Sequence, residues 1–361
     1  MPPLRFPKFS DEWKTVTLKE IADFQKDRIS SETLDENTYI STENIQQNFG
    51  GVQLASSIPA KINVIAYNKN DILLSNIRPY LKKVWFADRD GGCSADVFVL
   101  RSRCCEQSFL YYVIASDRFI DYVMSGAKGV KMPRGDKKQM ENFIFSLPTV
   151  KEQRKISKIL SLMDKRITLQ TKIIEKYKSL IKGLRHKLFA SIRGDATTLS
   201  KVANIYQPQT ISSKELTKTG YSVYGANGII GKYHSYNHEN EQVCITCRGN
   251  TCGTVNYTLP KSWITGNAMV INSDDFSTIV DKRYLYNYLC SINFSQIISG
   301  SGQPQIVRSP LEKLQIVLPE ITEQQKVAHC LDSFLYRIKI EETIAMRLEE
   351  QKQYLLRKMF I

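Results

Sequence analysis

Residues 147–167 and 318–338 are two copies of one segment, and that duplication restricts the chain to folds built from two like halves. The first copy opens Leu-Pro-Thr-Val-Lys-Glu-Gln-Arg-Lys at Leu147 and the second Leu-Pro-Glu-Ile-Thr-Glu-Gln-Gln-Lys at Leu318, an offset of 171 residues. At that offset Glu152-Gln153 falls on Glu323-Gln324, Lys155 on Lys326, Leu160 on Leu331 and Arg166-Ile167 on Arg337-Ile338. The register persists to Leu184 and Leu355, and to Lys187-Leu188-Phe189 against Lys358-Met359-Phe360. Upstream, Asp71–Ser75 falls on Gln242–Thr246 and Ala95–Leu100 on Gly266–Ile271, while Thr17–Ala22 resembles Thr198–Ala203 at a different offset. One register held this long marks an internal repeat. The expected organisation is a globular unit over 1–146, a helix over 147–193, a second globular unit over 194–317 and a second helix over 318–361.

The helical segments carry apolar residues at alternating steps of four and three. In the first they are Ile156, Leu160, Met163 and Ile167, then Ile174, Tyr177, Ile181, Leu184 and Leu188. In the second they are Val327, Leu331, Phe334, Ile338, Ala345, Leu348, Leu355 and Met359. This is a heptad seam, the pattern of a coiled coil. Gln170 interrupts the first seam, Glu341 stands at its counterpart, and Lys352 is a further break. A helix of about 40 residues rises about 60 Å at 1.5 Å per residue. An apolar stripe that long needs a partner, and two in one chain pair most simply with each other, antiparallel, as a spacer between the globular units.

The chain has 50 Lys and Arg against 36 Asp and Glu, a formal charge of +14 and an isoelectric point near 9.3. Such an excess favours a polyanionic partner, nucleic acid first. The first helix is the more basic: residues 151–193 hold 13 basic and 3 acidic side chains, residues 320–361 hold 7 of each. No run of about 18 apolar residues is present to span a membrane, and Met1-Pro-Pro-Leu-Arg-Phe lacks a signal-peptide core. The expected location is the cytoplasm, which suits eight cysteines of which several lie inside apolar runs.

The globular segments are mixed, with much β character: Ile72-Leu-Leu, Val84-Trp-Phe, Val97-Phe-Val-Leu, Val243-Cys-Ile, Val255-Asn-Tyr and Ala268-Met-Val-Ile are short runs bounded by Gly, Asn and Asp. Phe109 to Met124 and Tyr284 to Ile298 have the spacing of amphipathic helices. Loops between these elements collect basic and amide side chains. In the first unit these are Arg78, Lys82, Lys83, Lys128, Lys131, Arg134, Lys137 and Lys138. In the second they are Asn227, Lys232, Arg248, Asn250, Thr251, Gln303, Gln305 and Arg308. Arg and Lys suit guanine edges and phosphates, whereas Asn and Gln suit adenine.

Two motifs fail on spacing. A phosphate loop ending at Gly231-Lys232 needs glycine at position 226, which is Ala226, and Ser or Thr at 233, which is Tyr233. His234, His238, Cys244 and Cys247 are crowded too closely for a zinc finger or ribbon, so no metal site is expected. Nor does a Pro-Pro-aromatic methyltransferase motif or a nucleophile triad appear, and no catalytic residue is assigned.

Two variable globular units, each followed by Leu-Pro, Glu-Gln and a heptad helix, resemble the specificity subunit of type I restriction–modification systems. The resemblance covers essentially the whole chain and rests most on Leu147–Lys155 and Leu318–Lys326, with Ile72 to Arg78, Gly225–Gly228 and Gly266-Asn267 as further points. It implies an α+β fold of two tandem target-recognition domains with two long antiparallel coiled-coil helices. It implies a non-catalytic subunit in which each domain reads half of a bipartite asymmetric site on double-stranded DNA. The helices, through Ile156, Leu160, Met163, Ile167, Leu331, Phe334, Ile338, Leu348 and Leu355, would set the spacer and dock two methyltransferase subunits. S-adenosylmethionine would belong to those partners, ATP and magnesium to a restriction–translocase partner, and no cofactor to this chain. Two other readings are a self-contained DNA-modifying enzyme and a coiled-coil interaction protein without a DNA role; sequence discrimination at fixed salt separates a reader from a generic polycation.

Overall fold

The computed structural model describes residues 2–226, 228–300 and 302–360. The chain divides into two compact units, one running to Leu169 and resuming at Ala345, the other spanning Gln170–Ile344.

Each unit is organised around a four-stranded antiparallel sheet. In the first unit the order is Ala22–Phe24, Val97–Ser102, Ile72–Ser75, Val84–Phe86; in the second it is Asn204–Tyr206, Ala268–Asn272, Val243–Thr246, Val255–Tyr257. The central pair keeps its register at the repeat offset: Leu73 lies opposite Val99, and Cys244 opposite Val270. The central strands read as unbroken apolar runs because both faces are covered. Alternate residues serve the two faces. Ile72, Leu74 and Leu100 meet a helical layer with Phe109, Leu110 and Phe119, while Leu73, Val97 and Val99 meet Tyr67, Trp85 and Ile40. The second unit repeats the division, with Val243 and Ile245 beside Tyr284 and Leu285, and Cys244 and Val270 beside Tyr224 and Ile264.

The units differ in the layer on the other side. The first unit adds a four-stranded sheet of Arg28–Ser30, Asn63–Tyr67, Gly91–Cys93 and Tyr39–Ile40; the second adds three strands, Gly228–Tyr233, Tyr221–Gly225 and Trp263–Ile264. The helical expectations also need correction. Phe109–Met124 is two helices, Gln107–Ile114 and Asp117–Ser125, because Ser116 leaves the helical conformation and its hydroxyl accepts from Phe119 N at 3.2 Å. Tyr284–Ile298 is a helix, Lys282–Leu289, then a 3-10 turn, Phe294–Gln296, set off by the Asn293 side chain on Ser295 N. Side chains that cap a helix in this way compete with its continuation.

The Leu-Pro…Glu-Gln motif is a joint. Gln153 accepts from Glu106 N at 2.8 Å and donates to Pro148 O at 2.8 Å. Gln324 accepts from Asp281 N at 2.9 Å and donates to Pro319 O at 2.8 Å and Ile279 O at 2.9 Å. Both amides are buried. In each copy the glutamine ties the start of a long helix to the start of the short helix that covers the sheet, satisfying a terminal N–H that the short helix cannot pair itself.

The long helices are Val150–Ser191 and Ile321–Met359. None of the helices among the described residues is long and apolar enough to cross a membrane. Within the first unit Ile156 and Leu160 share a core with Leu356 and Met359. Within the second, Ile181 packs with Leu331 and Ile338, flanked by half-buried Tyr177, Leu184 and Phe334. Met163, Ile167 and Leu355 are half-buried and Leu348 is buried. Near the end of the second helix Leu356, rather than the heptad position Leu355, is the more deeply buried, since the helix there enters the core around Phe109.

The seam breaks are paired with polar groups. Lys352 Nζ, buried, lies 2.6 Å from Asp164, whose other oxygen accepts from Tyr112 at 2.6 Å. Gln170 donates to the Glu341 carboxylate, which also holds Arg337 at 2.6 Å. Gln170 and Glu341 are repeat counterparts, 171 residues apart. Glu341→Leu should leave the buried Gln170 amide with only the main-chain oxygen of residue 341, 3.2 Å away, and cost about 1 kcal/mol. Adding Gln170→Leu should recover most of that loss, so a double-mutant cycle by denaturant unfolding should show clear positive coupling. Additive losses would show that the two side chains do not depend on each other.

Candidate nucleic-acid interface

Loop side chains on the sheet ends are brought together in each unit by one backbone clamp, and the clamp is duplicated bond for bond. In the first unit Lys128 N donates to Arg134 O at 3.0 Å and Arg134 N to Lys128 O at 2.9 Å, closing a hairpin over residues 128–134. Arg78 N then donates to Pro133 O at 2.8 Å, and Gly135 N to Asn76 O at 3.1 Å. In the second unit Ser299 N donates to Gln305 O at 2.9 Å and Gln305 N to Ser299 O at 2.8 Å, closing residues 299–305. Gly249 N donates to Pro304 O, and Ile306 N to Cys247 O, both at 3.0 Å. Every donor and acceptor in the second clamp is the repeat counterpart of one in the first.

The turn chemistry is duplicated as well. Gly129 and Gly300 are counterparts with φ of 96° and 91°, a region closed to most L-residues. A Cβ at Gly300 would sit 2.5 Å from Gln303 O, and one at Gly129 would sit 3.2 Å from Met132 O. Pro133 and Pro304 supply the clamped carbonyls and have no N–H to leave unpaired.

The first clamp brings Arg78, Lys128, Lys131 and Arg134 onto adjoining loops. Arg78 holds φ of 51°, and with Lys82 at 54° it brackets a 3-10 turn, Pro79–Leu81. Arg78, Lys128, Lys131 and Arg134 are exposed. Lys128 lies 3.3 Å from Asp136 and Arg134 3.1 Å from Asp96, both at the surface. Lys82 lies 2.5 Å from Asp117, and Lys83 donates to Thr42 O at 2.6 Å, where burial lowers its pKa. Lys137 and Lys138 open the short helix Lys137–Glu141, with the Lys137 ammonium 4.7 Å from the Phe24 ring.

The second clamp joins Arg248, Asn250 and Thr251 on one loop to Gln303 and Gln305 on the hairpin. Arg248, Asn250, Gln303 and Gln305 are exposed. The hydroxyls of Thr246 and Thr251 donate to Ala226 O at 2.7 and 2.8 Å, drawing in the Gly-rich segment, which joins the paired strands Tyr221–Gly225 and Gly228–Tyr233. Lys232 lies on that second strand, and Arg308 starts the helix Arg308–Glu312, 2.7 Å from Glu312. Asn227 lies outside the described residues. Reading basic and amide side chains alone passes over Val130 and Met132, both exposed at the tip of the first hairpin. Their signal was the shared Gly-x-x-x-Pro of residues 129–133 and 300–304, which places any tip residue at the front of a clamped turn.

The remaining chemistry-bearing residues serve structure. His238 is buried, its Nε2 2.8 Å from the Tyr206 hydroxyl, and burial lowers its pKa. Burial pushes the Cys244 thiol up to about 12, so it is protonated at neutral pH. Among the described residues no three His, Cys, Asp or Glu side chains are placed to hold a metal ion.

The helix pair presents a second duplicated surface. In the first unit a groove of about 550 Å³ is lined by Met163, Arg347, Glu350, Gln351, Tyr354 and Leu355. In the second, a groove of about 510 Å³ is lined by the counterparts of those six, Lys176, Ser179, Leu180, Gly183, Leu184 and Phe334, and in addition by Lys187. The first long helix also exposes Ile159, Leu162 and Leu169 in the first unit, and Ile173 and Leu180 in the second, on a face beside the seam.

Residues 10–178 and 195–350 match the family model described as the type I restriction modification DNA specificity domain. The chain is 24% identical to the type I restriction enzyme MjaVIII specificity subunit of Methanocaldococcus jannaschii, over 98% of this chain and 92% of that one. A stretch covering 40% of the chain is 26% identical to the EcoprrI specificity subunit of Escherichia coli, over 36% of that protein. Among solved structures, the S subunit of a type I restriction-modification system from M. genitalium superposes with a TM-score of 0.68 at 17% identity, covering 100% of this chain and 99% of that chain. The match establishes a shared fold.

The clamp yields a direct test. Gly300→Ala should destabilise the 299–305 hairpin by roughly 1–2 kcal/mol, because the new Cβ strains φ and crowds Gln303 O. Amide exchange at Ser299 and Gln305 should accelerate while the sheet amides of Val243–Thr246 stay protected. Unchanged exchange at the two hairpin amides would show that the clamp does not depend on the glycine.

Proposed function

Because the chain belongs to the type I restriction–modification DNA specificity family, we propose that it is the DNA-recognition subunit of a methyltransferase–endonuclease complex and contributes no catalytic group of its own. Each unit reads one half of a bipartite site, and the long helices set the unread spacer between the halves. The observation that carries this reading is the duplicated clamp. One backbone frame, repeated, presents basic side chains in the first unit and mainly amides in the second, which suits two unlike half-sites. Phosphate contacts fix position and base-edge contacts fix sequence. The candidate contacts are Arg78, Lys128, Lys131 and Arg134 in one unit and Arg248, Asn250, Gln303 and Gln305 in the other.

The partners follow from the second duplication. Two counterpart grooves suit two copies of one partner, which we take to be the methyltransferase subunits. Those subunits would carry S-adenosylmethionine and flip the target base from the stack, an operation that needs a pocket of its own. ATP and magnesium would belong to a motor–nuclease subunit. The complex would work in the cytoplasm, where the DNA is.

The decisive experiment maps methylated adenines in DNA exposed to the chain with its methyltransferase partner. Replacing residues 194–317 with the matching segment of a relative should change one half of the mapped site and leave the other intact. A change in both halves would overturn independent reading. A Cβ at Gly183 would meet only open space, and the residue lines the second groove. Gly183→Trp should therefore fold normally and lower the methyltransferase stoichiometry from two toward one. Native mass spectrometry that still finds two partners would remove the groove from the interface.

A further inference from the structure

We propose that hairpins 128–134 and 299–305 are the base-reading fingers of their units, the first recognising thymine methyl groups through Val130 and Met132, the second recognising adenine edges through Gln303 and Gln305. This rests on the DNA-reading function proposed above and names the chemistry of each finger. The fingers share the four clamp hydrogen bonds and a glycine at positive φ, Gly129 in one and Gly300 in the other. A finger held at its base cannot withdraw its tip, so whatever stands at the tip is presented to the ligand.

At the first tip Val130 is fully exposed and Met132 is 48% exposed. Leaving a valine in water forfeits the stabilisation that its burial would give. Single exposed apolar residues need no explanation, but these two alternate with cations. Lys128, Lys131 and Arg134 lie on the same seven-residue hairpin, and all three are exposed. Lys128 and Arg134 each have a carboxylate nearby, Asp136 and Asp96, while Lys131 stands between the two apolar residues; an apolar tip flanked by cations is complementary to a surface that is apolar locally and anionic around it. The major groove of an A·T-containing duplex has that composition, with C5-methyl groups on its floor and phosphates on its rims, and it admits a two-stranded ribbon.

The second tip differs at the same positions. Gln303 stands where Met132 stands and Gln305 where Arg134 stands, both exposed; neither side chain forms a hydrogen bond among the described residues. A glutamine amide offers one donor and one acceptor side by side, the pattern that matches N6 and N7 of adenine. The two fingers therefore discriminate by different physics. The first depends on contact with a methyl group and is surrounded by salt-sensitive phosphate contacts, whereas the second depends on hydrogen-bond complementarity.

The test uses the assembled methyltransferase complex and duplexes carrying its mapped site, with anisotropy read at fixed salt. In the half-site assigned to the first unit, each thymine is replaced by uracil, which removes only the methyl group. Wild-type binding should weaken about fourfold at one or two positions, the value of one buried methyl-sized group. Val130→Ser with Met132→Gln should bind the thymine and uracil duplexes equally and keep the salt dependence, whereas Lys131→Ala should reduce the salt slope by about one. In the other half-site, 7-deazaadenine should weaken the wild type and not Gln303→Ala with Gln305→Ala. Indifference to uracil throughout the first half-site, or a first half-site without A·T pairs, would overturn the finger assignment while the complex still distinguished its site from scrambled duplex. Failure to distinguish the two duplexes at all would instead overturn the DNA-reading function beneath it.

Discussion

The fold depends on an apolar seam that neither long helix can keep in water alone. A helix of 42 or 39 residues with a heptad stripe is not stable as a solitary rod. Each stripe is covered by the other helix, and at its ends by a globular core. Ile156, Leu160, Leu356 and Met359 belong to the core that also holds Phe109 and Ile72. Phe189, at the end of the first helix, lies 5.5 and 5.1 Å from the rings of Tyr284 and Tyr288. Phe360, its counterpart, lies 5.3 Å from Phe109. Folding of each unit is thereby coupled to the pairing of segments distant in sequence, since each core includes residues from both helices.

Polar groups in that seam make the pairing selective. A uniform apolar stripe can slip by a heptad at modest cost. Gln170 opposite Glu341, and Lys352 opposite Asp164, cannot slip without leaving a buried charge or amide unpaired. The first pair consists of repeat counterparts and the second does not: the counterparts of Asp164 and Lys352 are Leu335 and Ile181. Duplication therefore supplied one polar layer, and divergence added another on one side only.

Much of this was legible in the sequence because the repeat keeps one offset through much of the shared structure. The strands Ile72–Ser75 and Val243–Thr246, the helices Lys137–Glu141 and Arg308–Glu312, and the starts Val150 and Ile321 all obey one offset. What was not legible lies where local chemistry overrides periodicity. The Ser116 cap divides a stretch whose apolar spacing reads as one helix. The second-layer sheets share only one parallel pair, Tyr39-Ile40 on Gly92-Cys93 and Val223-Tyr224 on Trp263-Ile264, too short a match for a comparison between halves to expose the sheets. The clamps are made of backbone hydrogen bonds, to which composition is blind; a list of cationic and amide side chains finds Lys131 and misses Val130 beside it.

The paired motif residues show how far a repeat can be trusted. Gln153 and Gln324 do the same work in both copies, because the carbonyl of the preceding proline and the start of a covering helix are present in both. Glu152 and Glu323 do not. Glu152 is fully buried, held by Arg5 at 2.7 and 2.8 Å and by the Trp13 indole N–H at 3.2 Å. Arg5 and Trp13 belong to the segment that precedes the first strand, and Leu4 N donates to Lys358 O there. The second copy has no such preceding segment, its first strand beginning at Asp195, four residues after the long helix ends, and Glu323 is exposed. Identity of sequence thus predicts identity of role only where the neighbours are duplicated too. The same criterion separates the clamps, whose every partner is repeated, from the fingertip side chains they carry, which differ between the units.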